Sequence, residues 1–402
     1  MKTIREIFRI GYGPSSSHTM GPRKAAEIFL AAHPDAAKYQ AHLYGSLSAT
    51  GKGHLTDAAI IDVIPSVEIV WHDEFLPYHP NGMRFCAWDG QETLLDDWTV
   101  YSVGGGALEE DPDNSTFLIQ NSELPDIYPL SRLSDIKDYC EKMGWDYWEY
   151  VEHYEGKEIW DYLREVWQVM REAVERGLDH EGVLPGPLHL RRKAASYYIK
   201  VAAYKDNLRT RGLVFSYALA VSEENASGGK IVTAPTCGSC GVLPAVLYHT
   251  WRSRDFSETR ILHALATAGL IGNVVKENAS ISGAEVGCQG EVGVACAMAS
   301  AAVNQLFGGT LAQIEYAAEM GLEHHLGMTC DPVCGLVQIP CIERNAFAAA
   351  RALDSNTYAA FSDGSHRVSF DKVVEVMKET GHDLPSLYKE TSQGGLAKDY
   401  KS

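Results

Sequence analysis

Long apolar runs and an excess of positive charge are both missing from this chain of 402 residues. No uninterrupted hydrophobic stretch approaches the roughly 18 residues that a membrane helix needs, and the opening residues MKTIREIFRIGYG are too polar for a secretory signal. Lys and Arg number 35 against 53 Asp and Glu, which gives a formal net charge of −18 and no basic face for a nucleic-acid backbone. We therefore expect a cytoplasmic protein that binds neither membrane nor nucleic acid.

A disulfide framework is also disfavoured. The cysteines number nine, an odd count, and cytosolic thiols are kept reduced. The glycine-rich segments match neither a P-loop nor a dinucleotide fingerprint, and Lys230 is the only weak candidate for a pyridoxal Schiff base. Cys237 and Cys240 have the C-x-x-C spacing of a redox pair, but the βαβ context of such a pair is lacking. Clustered thiols in this chain therefore indicate metal binding or catalysis.

The chain divides into three regions of different pattern. Residues 1–150 contain strand-like runs such as VEIVWH and MRFCAW beside two helical segments, which predicts an α/β N-terminal domain. Residues 151–185 predict an amphipathic connector helix, whose apolar stripe comprises Trp160, Leu163, Trp167, Met170 and Val174. Residues 186–402 are rich in alanine and in small-residue helical patterns, which predicts an all-α domain.

Several cysteines precede or begin predicted helices. Cys288 opens one helical segment, and Cys341 opens another directly after Pro340. A helix N-terminus lowers a thiol pKa and favours the thiolate, which is the form that binds metal. The segment MTCDPVCGLVQIPCIERN holds three cysteines within twelve positions, and two of them are Cys330 and Cys334. Burial as structural thiols is the simpler interpretation of Cys86, Cys140 and Cys296.

Histidines recur in glycine-flanked loops of the first region. His18 lies in GYGPSSSHTMGPRKA, Lys52 and His54 lie in YGSLSATGKGH, and His79 lies in YHPNG. An N-cap with solvated turn residues explains a serine run by itself. Three such histidines exceed what capping requires, so they are candidates for acid–base chemistry.

Taken together, these segments resemble the bacterial iron-sulfur L-serine dehydratases in their single-chain form. The similarity runs almost end to end and includes GPSSSHTMGPRKA, YGSLSATGKGH, HPNGM, YSVGGG, ENASGGKIVTAPT, NASISGAEVGCQGEVG, GMTCDPVCGLVQIPCIERNA and ETSQGGLA. The resemblance implies an N-terminal α/β domain similar to the allosteric substrate-binding domain of some phosphoglycerate dehydrogenases. It also implies an all-α catalytic domain, a homodimer, and conversion of L-serine to pyruvate and ammonia.

The resemblance further implies a 4Fe-4S cluster held by Cys288, Cys330 and Cys341, with Cys334 as a bystander. Three thiolates on four irons leave one iron free to act as a Lewis acid. Related chains commonly end with a cysteine after this last motif, whereas here the sequence continues KDYKS. We expect water at that iron or, failing water, an oxygen of Asp399, Tyr400 or the terminal carboxylate.

For the base that removes the α-proton we expect His54 or His18 first, and His79 third, because a neutral imidazole titrates near the working pH. The candidates for binding the substrate carboxylate and amine are Ser16, Ser17, Thr19, Lys52, Thr236, Asn278 and Ser280.

Two alternative functions stay open on the sequence. One is a related iron-sulfur lyase that acts on L-cysteine or L-threonine. The other is a non-catalytic amino-acid sensor whose cysteines hold a structural metal, and such a site requires four closed ligands.

Overall fold

The computed structural model describes residues 1–111 and 126–400. The strands are β1 (Ile10–Tyr12), β2 (Lys38–Leu43), β3 (Val67–Trp71), β4 (Gly82–Trp88), β5 (Leu94–Ser102), β6 (Leu108–Glu109) and β7 (Lys230–Val232). The α-helices are α1 (Gly21–Ala32), α2 (Gly45–Thr50), α3 (Thr56–Val63), α4 (Leu133–Met143), α5 (Tyr147–Glu155), α6 (Ile159–Asp179), α7 (Ala194–Val201), α8 (Asp206–Ala226), α9 (Val242–Arg254), α10 (Glu258–Asn278), α11 (Gly283–Val286), α12 (Val294–Leu306), α13 (Leu311–Glu323), α14 (Cys341–Phe361) and α15 (Phe370–Asp383). Two π-helical turns, Ser16–Met20 and Gln289–Gly293, run directly into α1 and α12.

A five-stranded mixed sheet forms the centre of the N-terminal region, in the order β3-β2-β4-β5-β6. The β2 and β3 strands are parallel, and the other neighbours are antiparallel. Alternate residues of β2 are buried, as a strand with one covered face requires. The core against this sheet includes Phe29 of α1, which stacks on Trp98 at 6.1 Å between ring centroids. The predicted α/β fold is confirmed.

Helices make up most of the remainder, which confirms the all-α prediction. The α12 helix is buried along nearly its whole length and contacts α9, α10, α13 and α14. Its sequence VACAMASAAVNQL supplies the small side chains that let four neighbours approach. The predicted amphipathic stripe is the buried face of α6, and this face packs against α8. Within the described ranges, no helix has both the length and the apolar character to span a bilayer.

The beginning of the chain joins the two regions. Ile4, Ile7 and Phe8 are buried in the core of the helical region, and β1 pairs antiparallel with β7. The turn that follows β1, Ser16–Met20, is therefore fixed at the junction between sheet and helices. The division into residues 1–150, 151–185 and 186–402 stays a prediction.

Candidate active site

Three buried thiols lie in the helical region at the positions expected for cluster ligands. Cys288 is the residue before the π-helical turn that leads into α12, and Cys341 is the first residue of α14. Cys330 instead lies in the connection after α13, where its N–H donates to the Tyr388 carbonyl at 2.8 Å. All three thiols are less than one-tenth exposed.

Contacts of these thiols with one another and with two ionisable residues, Glu291 and Arg344, influence their protonation. The Glu291 Oε2 atom lies 3.9 Å from the Sγ atoms of both Cys288 and Cys330. A hydrogen bond from the Cys330 thiol, together with the nearby Arg344 guanidinium, lowers the pKa of Cys288 to about 6 against the effect of burial. Burial and the Cys288 charge raise the pKa of Cys341. The thiolate form of Cys288 is therefore favoured near pH 7, and the Arg344 guanidinium lies close to it.

The chemistry of the donors at this point suits a sulfur-ligated metal group. A side chain at Gly283 would place its Cβ 3.2 Å from the Cys330 Sγ and 2.7 Å from Glu291 Oε2, so this wall must stay small. Sulfur donors suit iron-sulfur clusters, and the donor set of three buried cysteines fits a 4Fe-4S cluster. Cys334 is half-buried with a φ of +57°, and its loop packs against Gly53 of the N-terminal region.

A second polar cluster comes from the N-terminal region and the chain's last segment. One ring nitrogen each from His18 and His54 and a carboxylate oxygen of Glu390 all lie within 4.8 Å of one another. These three residues are at most 6 % exposed. Burial lowers the pKa of His18 to about 4 and lowers the pKa of His54 well below its ordinary value. Both rings are therefore neutral near pH 7.

Hydrogen bonds determine the tautomer of each ring. The Nε2 atom of His18 lies 3.2 Å from the Ser46 carbonyl, which can only accept, so Nε2 carries the proton. The Nδ1 atom of His18 then accepts from the Ser17 hydroxyl at 2.9 Å. Both nitrogens of His18 are thus engaged.

The opposite tautomer follows for His54. Thr50 donates its single hydroxyl proton to the Ser46 carbonyl at 3.0 Å, so its oxygen must accept from His54 Nδ1, which is also 3.0 Å away. This leaves Nε2 of His54 as an unprotonated nitrogen with a free lone pair. Thr19 holds the backbone of this residue through a 2.7 Å bond to the His54 carbonyl.

The third histidine has a different arrangement. His79 Nδ1 accepts from the Asn81 N–H at 3.1 Å, so its proton is on Nε2. That buried nitrogen has no hydrogen-bond partner among the described residues, although Glu285 Oε1 lies 3.5 Å away. Ser280 hydrogen-bonds the same Glu285 carboxylate.

The remaining predicted residues divide into two groups. Ser16, Ser17 and Thr19 are buried on the turn that carries His18, and Thr236 donates to Glu291 Oε1 at 2.8 Å. The structure does not bring the other predicted residues to either cluster. The ammonium of Lys52 is exposed over the Trp71 ring, and the amide of Asn278 donates to the Ser131 and Val274 carbonyls. Asp399 and Tyr400 are exposed, and the terminal carboxylate lies outside the described residues.

The segment after α15 connects the histidines to the thiols. The Glu390 N–H donates to the Cys330 carbonyl at 2.8 Å, and the Glu390 carbonyl accepts from the Ser46 hydroxyl at 3.1 Å. Its φ of +59° is a left-handed conformation that a non-glycine residue adopts only under constraint. One residue therefore contacts both halves of the site.

Sequence reasoning missed Glu390, Glu291 and Arg344. Glu291 and Arg344 each stand three residues after a candidate ligand, which is one helical turn, so the spacing could have found them. Glu390 begins the motif ETSQGGLA, but no local pattern links that motif to a histidine 372 residues earlier.

Comparison with known proteins gives the family. The model of the serine dehydratase beta chain matches residues 3–64, and that of the alpha chain matches residues 68–397. L-serine dehydratase TdcG of Escherichia coli is 43% identical, with 98% of each chain covered. The L-serine dehydratases of Streptomyces coelicolor and Helicobacter pylori are 40% and 36% identical, with at least 98% of each chain covered. The chain belongs to the serine dehydratase family.

Proposed function

We propose that this chain is an L-serine ammonia-lyase that eliminates water from L-serine to give pyruvate and ammonia. The observation that carries the proposal is the junction at Glu390, where two neutral histidines meet the loop of Cys330. Cys288, Cys330 and Cys341 would hold a 4Fe-4S cluster. When bound, that cluster supplies a Lewis acid for the substrate hydroxyl, which is otherwise a poor leaving group.

We assign the base to His54. Its Nε2 lone pair is free, because the Thr50 oxygen fixes the proton on Nδ1. Burial keeps the ring neutral at physiological pH, so no proton has to leave before the α-proton is taken. Both ring nitrogens of His18 are hydrogen-bonded, so we do not assign the base to His18. Its ring lies beside that of His54, with the two ring centroids 4.4 Å apart. Elimination gives aminoacrylate, which tautomerises and hydrolyses to the products.

Substrate groups find matching donors and acceptors nearby. The buried Nε2–H of His79 has no hydrogen-bond partner within the described ranges, so it can donate to the substrate carboxylate. Ser16, buried on the turn that carries His18, is a second candidate donor. Burial and the Cys288 charge raise the pKa of Glu291 well above its ordinary value, so this carboxyl group is not a strong partner for the ammonium. The hydroxyl proton of Thr236 is donated to Glu291, so the Thr236 oxygen can accept from the substrate ammonium. We keep Ser17, Thr19, Lys52, Asn278 and Ser280 as further binding candidates, and a homodimer in the cytoplasm as the working state.

Anaerobic purification tests the proposal, with iron and sulfide quantified and pyruvate measured with serine, threonine and cysteine. We expect about four irons and four sulfides per chain and the highest kcat/KM with serine. The His54→Ala variant should retain its iron and lose about 10²- to 10⁴-fold in kcat. An iron-free, inactive protein from careful work would refute the cluster, and normal turnover by His54→Ala would refute the base.

A non-catalytic metal site is the second candidate. The observation in its favour is Glu291, because one of its carboxylate oxygens and the sulfurs of Cys288 and Cys330 all lie within 4.8 Å of one another. That alternative predicts stoichiometric zinc, no sulfide and no pyruvate from any of the three amino acids.

A further inference from the structure

A cleft of about 630 Å³ lies between α13, α14 and the connection from α14 to α15. It is separate from the site described above. On α14 the nearest lining residue is Arg351, ten residues after Cys341, which is about 15 Å along a helix. The volume is in the range of small-molecule sites.

One buried carboxylate and two exposed guanidinium groups without ion pairs line this cleft. Glu319 is 4% exposed, and its carboxylate has neither a hydrogen bond nor an ion pair in the part of the chain that is described. Arg351 and Arg367 also line the cleft, and neither forms an ion pair with any described residue. A buried carboxylate without a partner is costly to keep, so it points to a missing cation.

Repulsion from neighbouring carboxylates adds to the free-energy cost of an ionised Glu319. Burial, Glu323 and Glu315 together raise the pKa of Glu319 to about 7. The Glu315 carboxylate is already neutralised by Lys137 at 2.5 Å, whereas Glu319 is not. Among the described residues, two groups of side chains are close enough together to hold a metal ion, and neither of them lines this cleft. The acidic residues of the cleft therefore do not form a metal site. An organic cation fits this position better than a metal ion.

Aromatic rings provide the apolar part of the cleft. The rings of Tyr316 and Tyr358 meet edge-on at 6.0 Å, and Tyr316 stacks on His366 at 4.7 Å. Tyr358 is 62% exposed, so one face of its ring is open to a ligand. Met320 of α13 also lines the cleft.

We propose that this cleft binds a free α-amino acid with a large apolar or aromatic side chain. Its ammonium pairs with Glu319, its carboxylate pairs with Arg351 and Arg367, and its side chain packs against Tyr316 and Tyr358. Both charges of a zwitterion are thereby matched. A ligand with a single charge would leave either Glu319 or the two arginines without a counterion. The proposal is independent of the chemistry at the cysteines.

Calorimetric titration of the holoenzyme with L-phenylalanine tests this assignment. Phenethylamine, which lacks the carboxylate, and 3-phenylpropanoate, which lacks the ammonium, isolate the two charges. We expect one L-phenylalanine bound per chain and at least tenfold weaker binding of each analogue. The Glu319→Gln and Arg351→Gln variants should each weaken binding at least tenfold, while the exposed control Glu172→Gln binds as the parent does.

Three outcomes would overturn the proposal. The first is no binding at millimolar L-phenylalanine. The second is unchanged binding by Glu319→Gln and Arg351→Gln, which would place the ligand elsewhere. The third is a lower melting temperature of Glu319→Gln than of Glu172→Gln, because a carboxylate that serves only a ligand should not stabilise the empty fold.

Discussion

The Thr50→Val substitution tests the proposed role of His54 as the base. Valine has nearly the shape of threonine, but it cannot accept the proton of His54 Nδ1, which is 3.0 Å from the threonine oxygen. Thr50 is 2% exposed, so water cannot readily replace the lost acceptor. The protein then either leaves a buried donor unpaired or moves the proton to Nε2, where it blocks the lone pair.

The size of the effect follows from the cost of that unpaired donor. A buried donor without a partner costs about 1–3 kcal/mol, and each 1.4 kcal/mol is a factor of ten in rate. We therefore expect kcat to fall about 5- to 150-fold, with KM little changed because the Thr50 hydroxyl is already engaged by Ser46 and His54. Thr50→Ser keeps the oxygen and should stay within about threefold of the parent.

Two measurements check this prediction. Pyruvate formation at saturating serine gives kcat. Iron content is measured on the same samples, so that a loss of iron is not mistaken for an effect on the His54 ring. Nitrogen-15 NMR of the histidine rings in the apoprotein reports the tautomer directly. A Thr50→Val enzyme with full iron and a kcat within twofold of the parent would refute the reasoning, and so would an Nε2–H tautomer of His54 in the parent.

Three further predictions concern the thiols and the buried rings. Replacing any of the three proposed cysteine ligands with serine should remove iron and turnover, whereas Cys334→Ala should keep both, as measured by iron and sulfide content. Gly283→Ala should lower the iron content, because its Cβ would lie 2.7 Å from a carboxylate oxygen, whereas Gly90→Ala has nothing within 4 Å and should be neutral. The pKa of His18 is lowered to about 4, so the unfolded chain binds the extra proton first as the pH falls below about 6.5. The free energy of unfolding of the apoprotein should therefore fall by about 3 kcal/mol more between pH 7 and 4 than that of His18→Gln, as measured by urea denaturation.

The sequence predicted those features that depend on local pattern. Alternation predicted β3 and β4, the apolar stripe predicted α6, and the position after Pro340 predicted the helix that begins at Cys341. The proposed cysteine ligands and the candidate histidines came from motifs and resemblance. The proton directions at Thr50 and His54 could not be predicted, because they follow from the hydrogen bond of Thr50 to the Ser46 carbonyl in the folded helix α2. The contact of Ser46 with Glu390 could not be predicted either, because 344 residues separate the two.

Burial at the junction of the two regions suits the proposed histidine base from the N-terminal region. A solvated imidazole would be partly protonated near pH 6.5, but His18 and His54 are enclosed between sheet and helices and stay neutral. The charge of the Cys288 thiolate is matched separately by Arg344. The backbone of Glu390 is bonded to Ser46 on one side and to Cys330 on the other, so displacing this segment would disturb both clusters together. The site is thus complete only when the last segment of the chain is docked between the two regions.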